Sequence, residues 1–222
     1  MLVLGLATAT DTCAVGLVRD GAALADLTVG RPRAHATLLG PLVEQALEAA
    51  GVGPADLDGI AVAGGPGSYT GLRIGVSFAK GLCLASGARL LAVPTLAALA
   101  ADGWPEPDRR TGVVLLPSRR GEVYAGAFKA PGAALRPAEA VAVGALAEWA
   151  PDGPLALLGP AAARHAERFA GRDVELVARP ASGVALARLG AARLADGRVE
   201  SVDAFEPAYL KPFVSGDGRS GG

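Results

Sequence analysis

Apolar and polar positions change rhythm several times along the chain, and each change predicts an element. Residues 2–8, 13–18 and 22–28 are short Leu- and Val-rich runs with the length of strands, and Asp20-Gly21 between the last two is a tight-hairpin signal. A three-stranded meander therefore opens the fold. The period then lengthens. From about His35 to Ala50, the residues Leu38, Leu39, Leu42, Val43, Ala46 and Ala49 cover about half of a helix, with Thr37, Glu44, Gln45 and Glu48 opposite. Pro41 has no N–H for the carbonyl of Thr37, which predicts a kink or a later start. An apolar run at 59–63, a helix at 70–86, a run at 90–93 and a helix at 95–101 follow.

The order βββαβαβα is that of the ribonuclease H-like or actin-like ATPase half-domain, an analogy that speaks to fold alone. Trp104-Pro105-Glu106-Pro107 and Asp108-Arg109-Arg110 predict a seam, because proline stops both helix and sheet and charge keeps the segment wet. Residues 1–104 then form the first lobe. Residues 105–214 form a smaller α/β lobe, with paired strands at 112–116 and 122–129 and helices at 161–170 and 183–196, and residues 215–222 form a disordered tail. The expected fold class is α/β, two lobes each with a mixed sheet flanked by helices.

Composition narrows the function. A chain of 222 residues buries roughly 70% of its unfolded surface without disulfides or metals. Twenty-one Lys plus Arg against 22 Asp plus Glu gives a net charge of −1, which excludes a strongly basic nucleic-acid binder. Two cysteines, Cys13 and Cys83, and two histidines, His35 and His165, are too few and too scattered for a zinc motif. Every apolar stretch is broken well short of about 18 residues, and no basic segment precedes the run at Leu2, so a cytoplasmic protein without membrane or export signals is expected.

Between residues 59 and 88 the only charges are Arg73 and Lys80, so the helix at 70–86 is apolar or small nearly all round. Gly71, Gly75, Ala79 and Cys83 recur every four residues as a low ridge, while Arg73, Ser77 and Lys80 lie at i, i+4 and i+7 on another face. Either the helix is packed into its own core, or one face belongs to a partner. His35 projects from the apolar half of the first helix and reads as a packed or capping side chain before it reads as a ligand or base.

Gly64-Gly65-Pro66-Gly67-Ser68 lies between a strand and a helix, a context that suits an anion. It is not a Walker loop, because Leu72-Arg73 follow Gly71 where Lys and Ser or Thr belong, and the dinucleotide fingerprint fails at Thr70. An unusual turn is the plainer expectation. The first strand carries no metal-binding acid, Asp11 sits in the following turn, and Gly67-Ser68-Tyr69-Thr70-Gly71 is no serine-hydrolase elbow. Catalysis by this chain alone is poorly equipped.

The segment from Gly65 to Gly75, GPGSYTGLRIG, closely resembles the hallmark of the TsaB (YeaZ-like) family. Thr8-Ala9-Thr10, Arg33-Ala34-His35, Gly121-Glu122-Val123-Tyr124 and Glu206-Pro207-Ala208-Tyr209-Leu210 support the resemblance over nearly the whole chain. It implies an actin-like fold that has lost its catalytic apparatus and serves as partner of the catalytic subunit TsaD. With the ATPase TsaE, that pair makes threonylcarbamoyladenosine next to the tRNA anticodon, and tRNA is met only through the complex. Two positions depart from the family, Ala7 and Pro117, where an Asp is usual, which weakens a nucleotide site within the chain. The resemblance further implies that the first two helices pack on TsaD, or on a second copy when TsaD is absent. Leu38, Leu39 and Leu42 with Gly71, Gly75 and Ala79 are then expected to form a four-helix contact flanked by His35, Arg73, Ser77 and Lys80, and a bulky residue at Gly75 is expected to separate the partners and spare the fold. No cofactor is expected in the chain alone, with an adenine nucleotide possible only at the junction with TsaD. The competing classes are a stand-alone ATPase or peptidase using the glycine-rich loop and a homodimeric scaffold with no nucleotide role.

Overall fold

The computed structural model describes residues 1–101, 109–130 and 133–210. The meander is β1 (Leu2–Ala7), β2 (Cys13–Arg19) and β3 (Ala22–Val29), turning between β2 and β3 at Asp20 (φ 50°) and Gly21 (φ 84°). Two left-handed residues in succession give the turn whose twist matches the strands. Then come α1 (His35–Ala49), β4 (Gly59–Ala63), α2 (Tyr69–Ser86), β5 (Arg89–Val93) and α3 (Thr95–Ala101). The first sheet has the order β3-β2-β1-β4-β5, with β1, β4 and β5 parallel.

The chain then repeats the plan. β6 (Thr111–Pro117), β7 (Glu122–Ala130) and β8 (Ala133–Ala142) form a second meander, followed by α4 (Leu146–Trp149), β9 (Leu155–Leu158), α5 (Ala162–His165), β10 (Val174–Val177) and α6 (Gly183–Ala195). The order is β10-β9-β6-β7-β8, so β9 and β10 extend the second meander as β4 and β5 extend the first. Two mixed sheets flanked by helices make this an actin-like ATPase (ribonuclease H-like) fold.

Strand alternation gives the first sheet two apolar faces. Leu2, Leu4, Leu6, Val15, Leu17, Ile60 and Val62 cluster with Leu39, Val43 and Ala46 of α1 and Val76 and Ala79 of α2. Val3, Ala7, Ala14, Val18 and Ala61 cluster instead with Val184, Leu186 and Ala187 of α6. Leu96, Leu99 and Ala100 of α3 pack with Val114, Leu116 and Phe128 of the second sheet. The helices α3 and α6 are thus exchanged: the one expected in the first lobe covers the second sheet, and the one expected in the second lobe covers the first. A sheet apolar on both faces has to be covered on both.

The approach of α6 is close because the crossing point has no side chains. Gly5 and Gly16 are cross-strand partners, and a Cβ on Gly5 would lie 2.0 Å from the carbonyl oxygen of Gly183, while one on Gly183 would lie 2.0 Å from the Gly16 nitrogen.

Other expectations change in detail. α1 begins at His35 and continues through Pro41, which lies on its exposed side. The helix expected at 161–170 divides into α5 and a 3₁₀ turn at Ala166–Phe169. The seam at 104–108 and the tail at 215–222 lie outside the described residues. Among the described residues, no helix is long and apolar enough to cross a membrane.

Candidate functional site

The glycine segment is a turn held by its own chain. Gly65 adopts φ 103°, and the Gly65–Pro66 peptide is cis. The Gly64 N–H donates to the Val93 carbonyl, Gly65 N–H to Thr95 Oγ1, Ser68 N–H to the Ala9 carbonyl and Gly71 N–H to Ser68 Oγ. The Gly64 carbonyl accepts from Ala208 N–H at 2.8 Å, and a Cβ on Gly65 would lie 2.4 Å from the Ala208 oxygen. The loop is therefore clamped between α3 and the C-terminal segment, with the N–H groups of Gly64, Gly65, Ser68 and Gly71 given to the chain's own acceptors.

Where the first and second sheets meet, a cavity of about 310 Å³ is lined by Thr10, Asp11, Ser68, Ser118, Arg119 and Tyr124, among others. Its lining has one carboxylate and no histidine. Pro117 is on the wall and Ala7, buried, closes β1, so neither position that would supply a metal-binding acid does so. The cavity thus offers one carboxylate, Asp11, among hydroxyl groups and the Arg119 side chain.

The ridge on α2 faces inward. A Cβ on Gly71 would lie 2.0 Å from the Thr8 carbonyl oxygen, and one on Gly75 would lie 2.2 Å from Thr8 Oγ1. Thr8, fully buried, donates its hydroxyl to the Gly71 carbonyl at 2.8 Å. Ala79 is buried in the same core. The ridge expected to seat a partner helix seats the chain's own strand instead, and the expectation that a bulky residue at Gly75 would spare the fold is overturned. Four-residue spacing of small side chains shows that a backbone comes close, not whose backbone it is. Thr8 was the missing term, and its one signal was a hydroxyl at the end of an apolar strand.

The same correction applies on α1. Leu39 and Leu42 are buried in the core beneath the helix. His35 is buried too, its Nε2–H donating to the Thr10 carbonyl at 2.9 Å, which pins the start of α1 to the turn after β1. It packs and ties, as the plainer expectation had it. Leu38 is half-buried at the edge of the layer.

What remains outside is a two-helix surface. Arg73, Ser77 and Leu84 are exposed along α2, Leu84 by 73%, and Lys80 is half-buried beside them. Arg73 Nη1 donates to Tyr69 Oη at 3.0 Å, with the guanidinium 5.5 Å from the ring centroid. The Tyr69 ring lies 5.0 Å from that of Tyr209, whose phenol is pushed up by burial first and by Tyr69 second. Lys80 Nζ donates to the Asp203 carbonyl at 3.3 Å. Together α2 and the C-terminal segment enclose a groove of about 350 Å³. Of the ten residues expected at a contact, Arg73 and Ser77 are open, Leu38 and Lys80 are partly so, and the other six face the interior.

Residues 31–187 match the family model described as TsaD: tRNA N6-adenosine threonylcarbamoyltransferase. The tRNA threonylcarbamoyladenosine biosynthesis protein TsaB of Escherichia coli (strain K12) is 35% identical over 124 residues, 56% of this chain and 53% of that protein. Its Bacillus subtilis (strain 168) namesake is 34% identical over 131 residues, 58% and 56% of the two chains. The chain thus spans about half the length of the curated relatives it matches. In three dimensions it superposes on YeaZ from Pseudomonas aeruginosa with a TM-score of 0.83 and 29% identity, covering 94% of this chain and 99% of that one.

Proposed function

Because this chain belongs to the TsaB (YeaZ-like) family, we propose that it is a non-catalytic subunit in the synthesis of threonylcarbamoyladenosine in tRNA, docking the catalytic subunit TsaD on the outer layer of α1 and α2. The observation that carries this reading is that the N–H groups of Gly64, Gly65, Ser68 and Gly71 are given to Val93, Thr95, Ala9 and Ser68 of the same chain. A loop bound in this way is a scaffold for α2 rather than a cradle for phosphate. The groups left to interact are the exposed ones on α2 and its neighbour α1. A second copy occupies the same layer when TsaD is absent, TsaE joins the assembled pair, and tRNA is met through the complex. An adenine nucleotide, where one takes part, sits at the junction and is held chiefly by the partner's groups.

A stand-alone ATPase or peptidase is disfavoured by the same contacts. Ser68 Oγ caps α2 by accepting from Gly71, and His35 Nε2 is held by a backbone carbonyl. The test mixes the purified chain with TsaD and follows complex mass by size exclusion with light scattering, together with modification of unmodified tRNA by TsaD and TsaE. The expected result is a heterodimer, modification that needs this chain, and no ATP hydrolysis by the chain alone. Turnover without TsaD that is abolished by Ser68→Ala would overturn the reading.

A further inference from the structure

The cavity between the two sheets has walls of opposite charge. One wall comes from the turn after β1 and the start of α2, with Thr10, Asp11 and Ser68, and the other from β6, β7 and the turn between them, with Ser118, Arg119 and Tyr124. Each wall therefore brings one formal charge, a carboxylate on one side and a guanidinium on the other, together with two hydroxyl groups. Leu116 and Pro117 add apolar surface.

Both walls are held by their own backbone. His35 Nε2 lies 2.9 Å from the Thr10 carbonyl oxygen and 3.3 Å from that of Thr12, so the residues on either side of Asp11 are tied to the start of α1. Thr12 N–H donates to Thr10 Oγ1 across the same turn, and Ser68 N–H donates to the Ala9 carbonyl just before it. On the other wall, Glu122 N–H donates to the Arg119 carbonyl at 3.0 Å, and Leu116 pairs with Tyr124 across the hairpin. A site fixed in advance loses less conformational entropy when it binds.

One group is left over. Ser118 Oγ is buried and has no hydrogen-bond partner among the described residues. A hydroxyl shut away from water without a partner is costly, and a polar ligand atom entering the cavity that Ser118 lines would meet that need. The charges limit what the ligand can be. A simple anion would face Asp11 and a simple cation would face Arg119, so each is opposed by a like charge, whereas a molecule carrying both signs is opposed by neither. A volume of about 310 Å³ is at the lower end of the roughly 300–1,000 Å³ of small-molecule sites, which suits a compact ligand.

We infer that this cavity binds a small free α-amino acid, with its carboxylate on Arg119 and Ser118 Oγ, its ammonium on Asp11 and its side chain against Leu116 and Pro117. The planar guanidinium is suited to a carboxylate, to which it can give two parallel N–H donors. The inference goes beyond the docking role: the site is complete within one chain and lies apart from the exposed residues of α1 and α2.

Chemical-shift titration of the purified, isotope-labelled chain tests it. The probes are L-valine and L-threonine, against 3-methylbutanoate, isobutylamine and inorganic phosphate, each of which carries one sign of charge. Saturable shifts at the Asp11 and Arg119 amides are expected with at least one amino acid, with a dissociation constant below roughly 10 mM and at least about tenfold weaker binding of every single-sign probe. Arg119→Gln and Asp11→Asn, both at exposed positions and checked for a native thermal melt, are each expected to weaken amino-acid binding at least about tenfold. Ser118→Ala gives an independent readout: binding falls, while the ligand-free chain melts no lower than wild type because the unmet hydroxyl is gone. Saturation by neither amino acid, a single-sign probe that binds as tightly as they do, or folded Arg119→Gln and Asp11→Asn variants that bind as wild type does would overturn the inference.

Discussion

Gly75 and Thr8 are in close contact beneath α2, and both predict a cost to the fold when changed. Gly75→Ala places a methyl group 2.2 Å from Thr8 Oγ1 and in contact with Val62, so a loss of about 1–3 kcal/mol is expected in urea unfolding. Thr8→Val keeps the shape and removes the donor to the Gly71 carbonyl, and an expected loss of about 0.5–1.5 kcal/mol reflects one buried hydrogen bond lost. The buried thiols predict a pH effect of definite sign. Burial pushes Cys83 up from 9.0 to about 11 and raises Cys13 in the same direction. Above pH 9 the unfolded thiol gives up its proton while the folded one keeps it. Stability is therefore full below that point and falls as pH rises towards about 11, by up to about 3 kcal/mol for Cys83. Unfolding midpoints at pH 8 and pH 10.5, compared with those of Cys83→Val, check this, and the variant should show a shallower decline. At this scale the chemistry was only half legible. His35 and the glycine turn read correctly because hydrogen-bonding groups next to a helix start have few uses, whereas the α2 ridge needed Thr8 before its direction could be known.

Elements with strong local signals match their sequence patterns closely. The hairpin at Asp20-Gly21, β4 between glycines and β5 before Pro94 combine β-branched or Leu-rich runs with turn residues. β8, β9 and β10 gave no such signal. β8 is mostly exposed, interrupted by Pro137 and irregular in its pairing with β7, which an edge strand tolerates, and β9 and β10 have four residues each. With 48 alanines in the chain, apolar contrast is flattened and a ten-residue alanine-rich stretch such as 161–170 looks more helical than it is. The exchange of α3 and α6 could not be read from pattern at all, because an amphipathic helix declares that it needs a sheet but not which one. Gly183 makes the exchange testable. Gly183→Ala directs a methyl group at the Gly16 backbone, where nothing flexible can yield, so a loss of at least about 2 kcal/mol is expected, with faster amide exchange in β1 and β2.

On the scale of the whole molecule, the exchanged helices mean that neither half is complete without the other. Truncation after residue 182 removes α6 and the C-terminal segment that holds Gly64, leaving Val3, Ala7, Ala14, Val18 and Ala61 without their cover. The truncated chain is expected to aggregate and bind hydrophobic dyes, while the full chain stays monodisperse, as sedimentation would show. The consequence reaches back to synthesis. A ribosome making this protein releases all five strands of the first sheet long before it reaches residue 183, so one oily face of that sheet waits, bare, for most of translation. Slow decoding late in the message would lengthen that wait, and a chaperone that shields nascent sheets would be needed most just before the last helix emerges.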